Sequence, residues 1–104
     1  MTVVITLLYP KGTKEFDMDY YLTSHMPLVQ KTWGGPAGLE KWEVVKLDPA
    51  SGFVTKCLLY WESGEKARAA FGGPEAATVL GDIPNYCDVQ PQQYGGEIVG
   101  SSSS

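Results

Sequence analysis

His25 is the only histidine in the 104 residues. An imidazole titrates near neutral pH and can give or take a proton, so acid–base chemistry is assigned to it first. It falls on the apolar face of a helical repeat, with Leu22 and Val29 as neighbours. A lone histidine on such a face is more often a packed core residue than a catalyst. Ser24 points elsewhere on the helix, so no Ser/His/Asp triad is assembled. Tyr21, one turn earlier, can share the His25 face. A second group is aromatic: Tyr20, Tyr21, Trp33, Trp42, Tyr60, Trp61 and Tyr86. These could line a pocket for a flat apolar ligand, with phenols orienting it by hydrogen bonds, although most must also serve core and interface packing. The third group is the polar stretch Asp82-Ile83-Pro84-Asn85-Tyr86. Asn85 could orient a carbonyl, and Asp82 could act as an acid or orient His25. Plain turn and capping chemistry accounts for the same residues.

Other chemistries lack their residues. Eight Lys and Arg against twelve Asp and Glu give a net charge of −4, without a basic run. Nucleic acids and anionic membranes need clustered positive charge, so neither is an expected partner. Arg68 is the only arginine, which disfavours a phosphate grip. No GxGxxG, P-loop, HExxH or GxSxG string occurs, so no nicotinamide, flavin or nucleotide cofactor has a docking motif. Cys57 and Cys87 are expected as free thiols, and a metal site on one histidine is improbable. No apolar stretch approaches the ~18 residues of a membrane span, and Val3–Tyr9 lacks the flanks of a signal peptide; a cytoplasmic location is expected.

The elements that must position these residues follow from periodicity. Thr2–Tyr9 reads as a strand that is apolar on both faces and ends at Pro10-Lys11-Gly12. Asp17 is a plausible helix N-cap, with Phe16 and Tyr21 as a hydrophobic staple. Met18, Leu22, His25, Met26, Val29 and Trp33 mark one face of that helix, which ends at Gly34-Gly35-Pro36. Pro27 inside it predicts a kink near His25 or two shorter pieces. Leu39–Leu47 and Phe53–Glu62 read as strands joined by a short loop. Ser63–Phe71 reads as a helix, Pro74–Leu80 as a further helical stretch, and Tyr86–Val99 as a last strand weakened by Pro91 and Gly95-Gly96. Residues 1–100 form one domain, and Ser101–Ser104 a flexible tail.

The order β, α, β, β, α, β is that of an α+β, ferredoxin-like fold with both helices on one face of an antiparallel sheet. Strands one and three carry apolar residues on both faces, so a monomer would leave a patch in water. Two copies stacked sheet to sheet would bury it, and a homodimer is expected.

Phe16-Asp17-Met18-Asp19-Tyr20-Tyr21-Leu22, followed by His25-Met26-Pro27-Leu28-Val29, resembles the EthD-like proteins, named for ethyl tert-butyl ether degradation. Tyr60-Trp61-Glu62, Gly81–Tyr86 and Gly96–Val99 are also similar, so the resemblance spans residues 2–100. It implies a dimeric α+β barrel with a pocket between sheet and helices, and it singles out His25. It does not supply a reaction, because the superfold hosts isomerases, cyclases, monooxygenases and haem-handling enzymes. The expected function is a cofactor-free enzyme of isomerase, cyclase, dehydratase or decarboxylase type on a small apolar or aromatic ketone, phenol or lactone. In it His25 is the base or acid, Tyr21 or Tyr60 polarises an oxygen, and Trp33 or Trp61 stacks on the ring. Tyr20, Asp82 and Tyr86 complete the expected binding set, with Asn85 in the catalytic one. The alternatives are a cofactor-independent monooxygenase of dihydroxyaromatics and a non-catalytic binding or stress accessory protein.

Overall fold

Val3–Pro10, the β-branched run at the start, forms strand β1 at the centre of a four-stranded sheet. The computed structural model describes residues 2–102; Ser103 and Ser104 of the expected tail lie outside the described residues. The other strands are β2 (Leu39–Lys46), β3 (Phe53–Trp61) and β4 (Gln92–Glu97). Their order is β2-β3-β1-β4 and every pairing is antiparallel. The helices are α1 (Met18–Tyr20), α2 (Met26–Trp33), α3 (Gly64–Gly72) and α4 (Ala76–Leu80). This is the α+β ferredoxin-like fold.

Alternation sorts the sheet into two faces. Leu7 and Tyr9 of β1, with Thr55, Cys57, Leu59 and Trp61 of β3, are buried on one face. They pack against Tyr21, Met26, Val29, Trp33, Ala67, Val79 and Ile83 from the helical side. Val4, Thr6 and Leu8, with Val54, Leu58 and Tyr60, stand on the other face and are only partly covered.

The first helical segment keeps right-handed helical angles at Tyr20, Tyr21, His25 and Met26, so it is not two separate pieces. Asp17 caps it, its carboxylate accepting from the Tyr20 N–H at 3.0 Å, and the Phe16 and Tyr21 rings meet at 5.0 Å. Between α1 and α2 the chain widens into a π turn, Tyr21–His25, in which the Met26 N–H reaches back to the Tyr21 carbonyl. Pro27 has no N–H, and its ring crowds the carbonyl four residues earlier. One wide turn ahead of it absorbs that conflict while the helix continues.

The last strand is shorter than its periodicity suggests. Ile83–Asn85 is a single 3-10 turn, Tyr86 and Cys87 are drawn into the core, and pairing starts only after Pro91. A 3-10 turn at Gly35–Ala37 brings the chain from α2 into β2, and Gly38 leaves it at a φ of 104°, where a Cβ would be strained.

Candidate functional site

The π turn carries His25 into the space between α2, α4 and the sheet, where it is buried. The loop after α4 approaches from the other side, tied down by a hydrogen bond from the Asp17 N–H to the Tyr86 carbonyl at 2.9 Å. There His25 Nδ1 lies 2.9 Å from Asp82 Oδ2. The second carboxylate oxygen, Oδ1, accepts from the Tyr20 hydroxyl at 2.7 Å and from Asn85 Nδ2 at 2.8 Å.

These partners set the charges. Partial burial raises the Asp82 carboxyl, but hydrogen bonds from Tyr20, Asn85 and His25 outweigh it and hold the pKa below the usual carboxylate value. An ionised carboxylate only accepts, so the proton between the two groups sits on His25 Nδ1. Burial pushes the His25 pKa below 6.5, against the opposing pull of Asp82. The imidazole is therefore neutral at pH 7, with an unprotonated Nε2. The Tyr86 hydroxyl lies 3.4 Å from Nε2 and 2.7 Å from the Tyr9 hydroxyl. With Nε2 as acceptor, Tyr86 donates to His25 and Tyr9 donates to Tyr86. Burial drives both phenols up, Tyr9 to about 12 and Tyr86 further.

Aromatic rings form the body of the site. Tyr21 stacks on His25 with centroids 5.2 Å apart. Tyr9, Phe16, Tyr21 and Tyr86 meet edge to face at 4.8 to 5.8 Å. Such contacts contribute about 0.5–1.5 kcal/mol each beyond their area, so this wall is rigid. A cavity of about 20 Å³ lies among Tyr21, His25, Trp33, Cys57, Phe71 and Tyr86. That is room for about one water molecule. Burial raises the Cys57 thiol to about 11, so it is no thiolate at neutral pH.

Of the residues singled out in the sequence, His25, Tyr21, Trp33 and Tyr86 line the cavity. Asp82, Asn85 and Tyr20 stand behind the imidazole, on its Nδ1 side. Asn85 engages the Asp82 carboxylate and does not line the cavity, where an orienting contact to a substrate carbonyl was expected. Tyr60 is on the opposite face of the sheet, where its hydroxyl donates to Glu43 at 2.7 Å. It is not part of this site: one residue of strand alternation separates it from Leu59 and Trp61. Trp61 is wholly buried behind Trp33, with ring centroids 5.6 Å apart, and Trp42 packs at the edge of the core. Tyr9 and Phe71 belong to the site and were not marked by sequence spacing. Tyr9 looks like any apolar strand residue until the fold sets it beside Tyr86, 77 positions away. Among the described residues no cluster of three or more potential metal ligands occurs, and no helix is long and apolar enough to cross a membrane.

No protein-family model matches the chain, and no curated protein sequence matches it. Solved structures do. An EthD-like protein from Ralstonia eutropha is 30% identical with a TM-score of 0.84; the match covers 98% of this chain and 96% of that one. An ethyl tert-butyl ether degradation family protein from Bacillus halodurans is 23% identical with a TM-score of 0.72, covering 95% and 100%. A cofactor-independent oxygenase from Streptomyces nogalater shares the fold at 7% identity, with a TM-score of 0.66 and coverage of 96% and 94%.

Proposed function

The chain belongs to the EthD-like family, and from that premise and the geometry at His25 we propose that it is a small cofactor-free enzyme. It acts on an apolar or aromatic ketone, phenol or lactone by general acid–base chemistry. The observation that carries this reading is the 2.9 Å contact between His25 Nδ1 and Asp82. It fixes the tautomer and leaves the Nε2 lone pair engaged only by the long 3.4 Å contact with the Tyr86 hydroxyl, which a substrate carbon or hydroxyl giving up a proton would displace. The imidazolium that forms is stabilised by the Asp82 carboxylate behind it. The proton then returns from Nε2 to a different substrate atom, which is the pattern of an isomerase, cyclase or dehydratase. Tyr86, held by Tyr9, is the hydroxyl nearest to Nε2 and keeps the ring in place.

The enzyme works as a homodimer. Support comes from the uncovered sheet face, where Val4, Leu8, Leu58 and Val45 stand with Tyr94, itself 56% exposed. A second copy stacked on that face leaves the helical side, and the site, open.

The test is proton exchange into a panel of aromatic ketones, phenols and lactones in D2O, followed by proton NMR. His25→Ala should slow exchange about 10²–10⁴-fold. An unchanged rate overturns the mechanism. Oxygen uptake in step with substrate loss would instead assign a cofactor-independent monooxygenase of dihydroxyaromatics. Saturable binding without turnover would assign a binding or accessory protein.

A further inference from the structure

Phe71 stands in two walls at once. It closes one side of the cavity beside His25, and it lines a groove of about 800 Å³ between α3 and the β1–β4 edge of the sheet. Val3, Ile5 and Ala67 give this groove an apolar stretch, beside Glu65, Arg68, Gln93 and Glu97, which also line it. Gly95 leaves Ile5 bare, since a Cβ there would stand 3.1 Å from the Ile5 Cδ1. The groove has the size of a small-molecule pocket, roughly 300–1,000 Å³. The His25 cavity, at about 20 Å³, does not. A substrate reaches His25 only if a wall moves, and the wall shared with the groove is the partly exposed Phe71 ring, followed directly by Gly72-Gly73.

Two buried donors flank that ring. The Trp33 and Trp61 rings lie 4.8 Å and 6.1 Å from Phe71. Both indole nitrogens are buried without a hydrogen-bond partner. An indole N–H donates and never accepts, and a buried donor left unpaired is costly. Each calls for an acceptor atom, and a hydrocarbon supplies none.

We propose that Phe71 is a gate joining the His25 cavity to the groove, and that the ligand is a flat, elongated apolar molecule bearing a carbonyl oxygen. The ligand displaces the Phe71 ring, sets its oxygen against the indole N–H of Trp33, which lines the cavity, and lays its apolar body along Val3, Ile5 and Ala67 of the groove. The carbon next to the carbonyl then faces His25. This names the substrate class of the acid–base reading and rests on it. It also changes the part of Trp33, which donates a hydrogen bond where stacking was expected.

The test uses 2-acetylnaphthalene against 2-ethylnaphthalene, the same skeleton with and without the oxygen. Binding is read from the three indole N–H signals in nitrogen-15 NMR spectra, assigned with Trp→Phe variants. The ketone should shift the Trp33 signal saturably, and the hydrocarbon should bind at least fivefold more weakly. Phe71→Leu should tighten ketone binding at least threefold, and Phe71→Trp should weaken it at least tenfold. Thermal melts confirm that both variants fold; should one not, the other and the ketone–hydrocarbon pair still decide. An unmoved Trp33 signal, equal binding of the two probes, or ketone affinity indifferent to Phe71 overturns the gate. Binding is read without turnover, so a wrong general base leaves the Trp33 signal moving and the enzyme inert.

Discussion

His25 Nδ1 donates to Asp82 Oδ2 at 2.9 Å, across 57 positions of the chain. The contact joins a π turn to the loop after α4, and with the Tyr20–Asp82 and Asp17–Tyr86 hydrogen bonds it holds the two halves of the site in register. Asp82→Asn removes the charge that fixes the tautomer and stabilises the imidazolium. Activity should fall between about tenfold and 10⁴-fold, as for other carboxylates that orient a catalytic histidine. The acidic limb of the activity–pH profile should also move to lower pH, because Asp82 opposes the burial that depresses His25. A kcat/KM profile of both proteins checks the two effects together. An unshifted limb would mean that His25 does not set it.

Stability should fall in two steps as pH drops. The folded His25 binds its proton below 6.5, while the unfolded chain takes one up near that value. Its effect is absent above pH 6.5 and destabilises progressively as pH falls through 6.5 toward the lowered folded value. Asp82 has a folded pKa below 3.8, so it contributes stability above that value and loses it as pH falls further. Thermal melts at about pH 7.5, 5.5, 4.5 and 2.5 should show both steps. His25→Gln should remove the first and leave most of the second.

The Tyr9 and Tyr86 hydroxyls share a buried hydrogen bond of 2.7 Å. Removing Tyr86 orphans the Tyr9 hydroxyl, at a cost of about 1–3 kcal/mol, whereas removing Tyr9 leaves Tyr86 its 3.4 Å contact with His25 Nε2. Tyr86→Phe should destabilise by that amount, Tyr9→Phe by less, and the double variant by clearly less than the sum. Urea unfolding of the four proteins closes the cycle; strict additivity would mean the two hydroxyls are not coupled.

Leu58 stands on the uncovered sheet face opposite Thr6 of β1. A glutamate there would put a charge in the middle of the stacked-sheet interface. Leu58→Glu should therefore give a folded monomer where the unaltered protein gives a dimer, as read by light scattering after size exclusion. A parent protein that is itself monomeric removes the dimer.

The sequence by itself carried the fold class, because strand and helix periodicities and glycine–proline punctuation are local properties. Its two-faced strands also carried the expectation of a partner. It marked His25 by rarity and Asp82, in a polar loop, as an acid or as the group that orients His25, without deciding between the two. The bond between them depends on where a loop lands after the chain has crossed the sheet twice more. Tertiary structure alone decided which aromatics belong to the site. Tyr60 and Trp61 are neighbours in sequence, yet the strand's alternation puts them on opposite faces. Tyr9 and Phe71 look like ordinary packing residues until the antiparallel register and the α3 crossing bring them to His25. The π turn was likewise a compromise that only the packed helix settles. Pro27 forbids one hydrogen bond, and burial of Tyr21, Met26 and Val29 on one face decides that the helix widens instead of breaking.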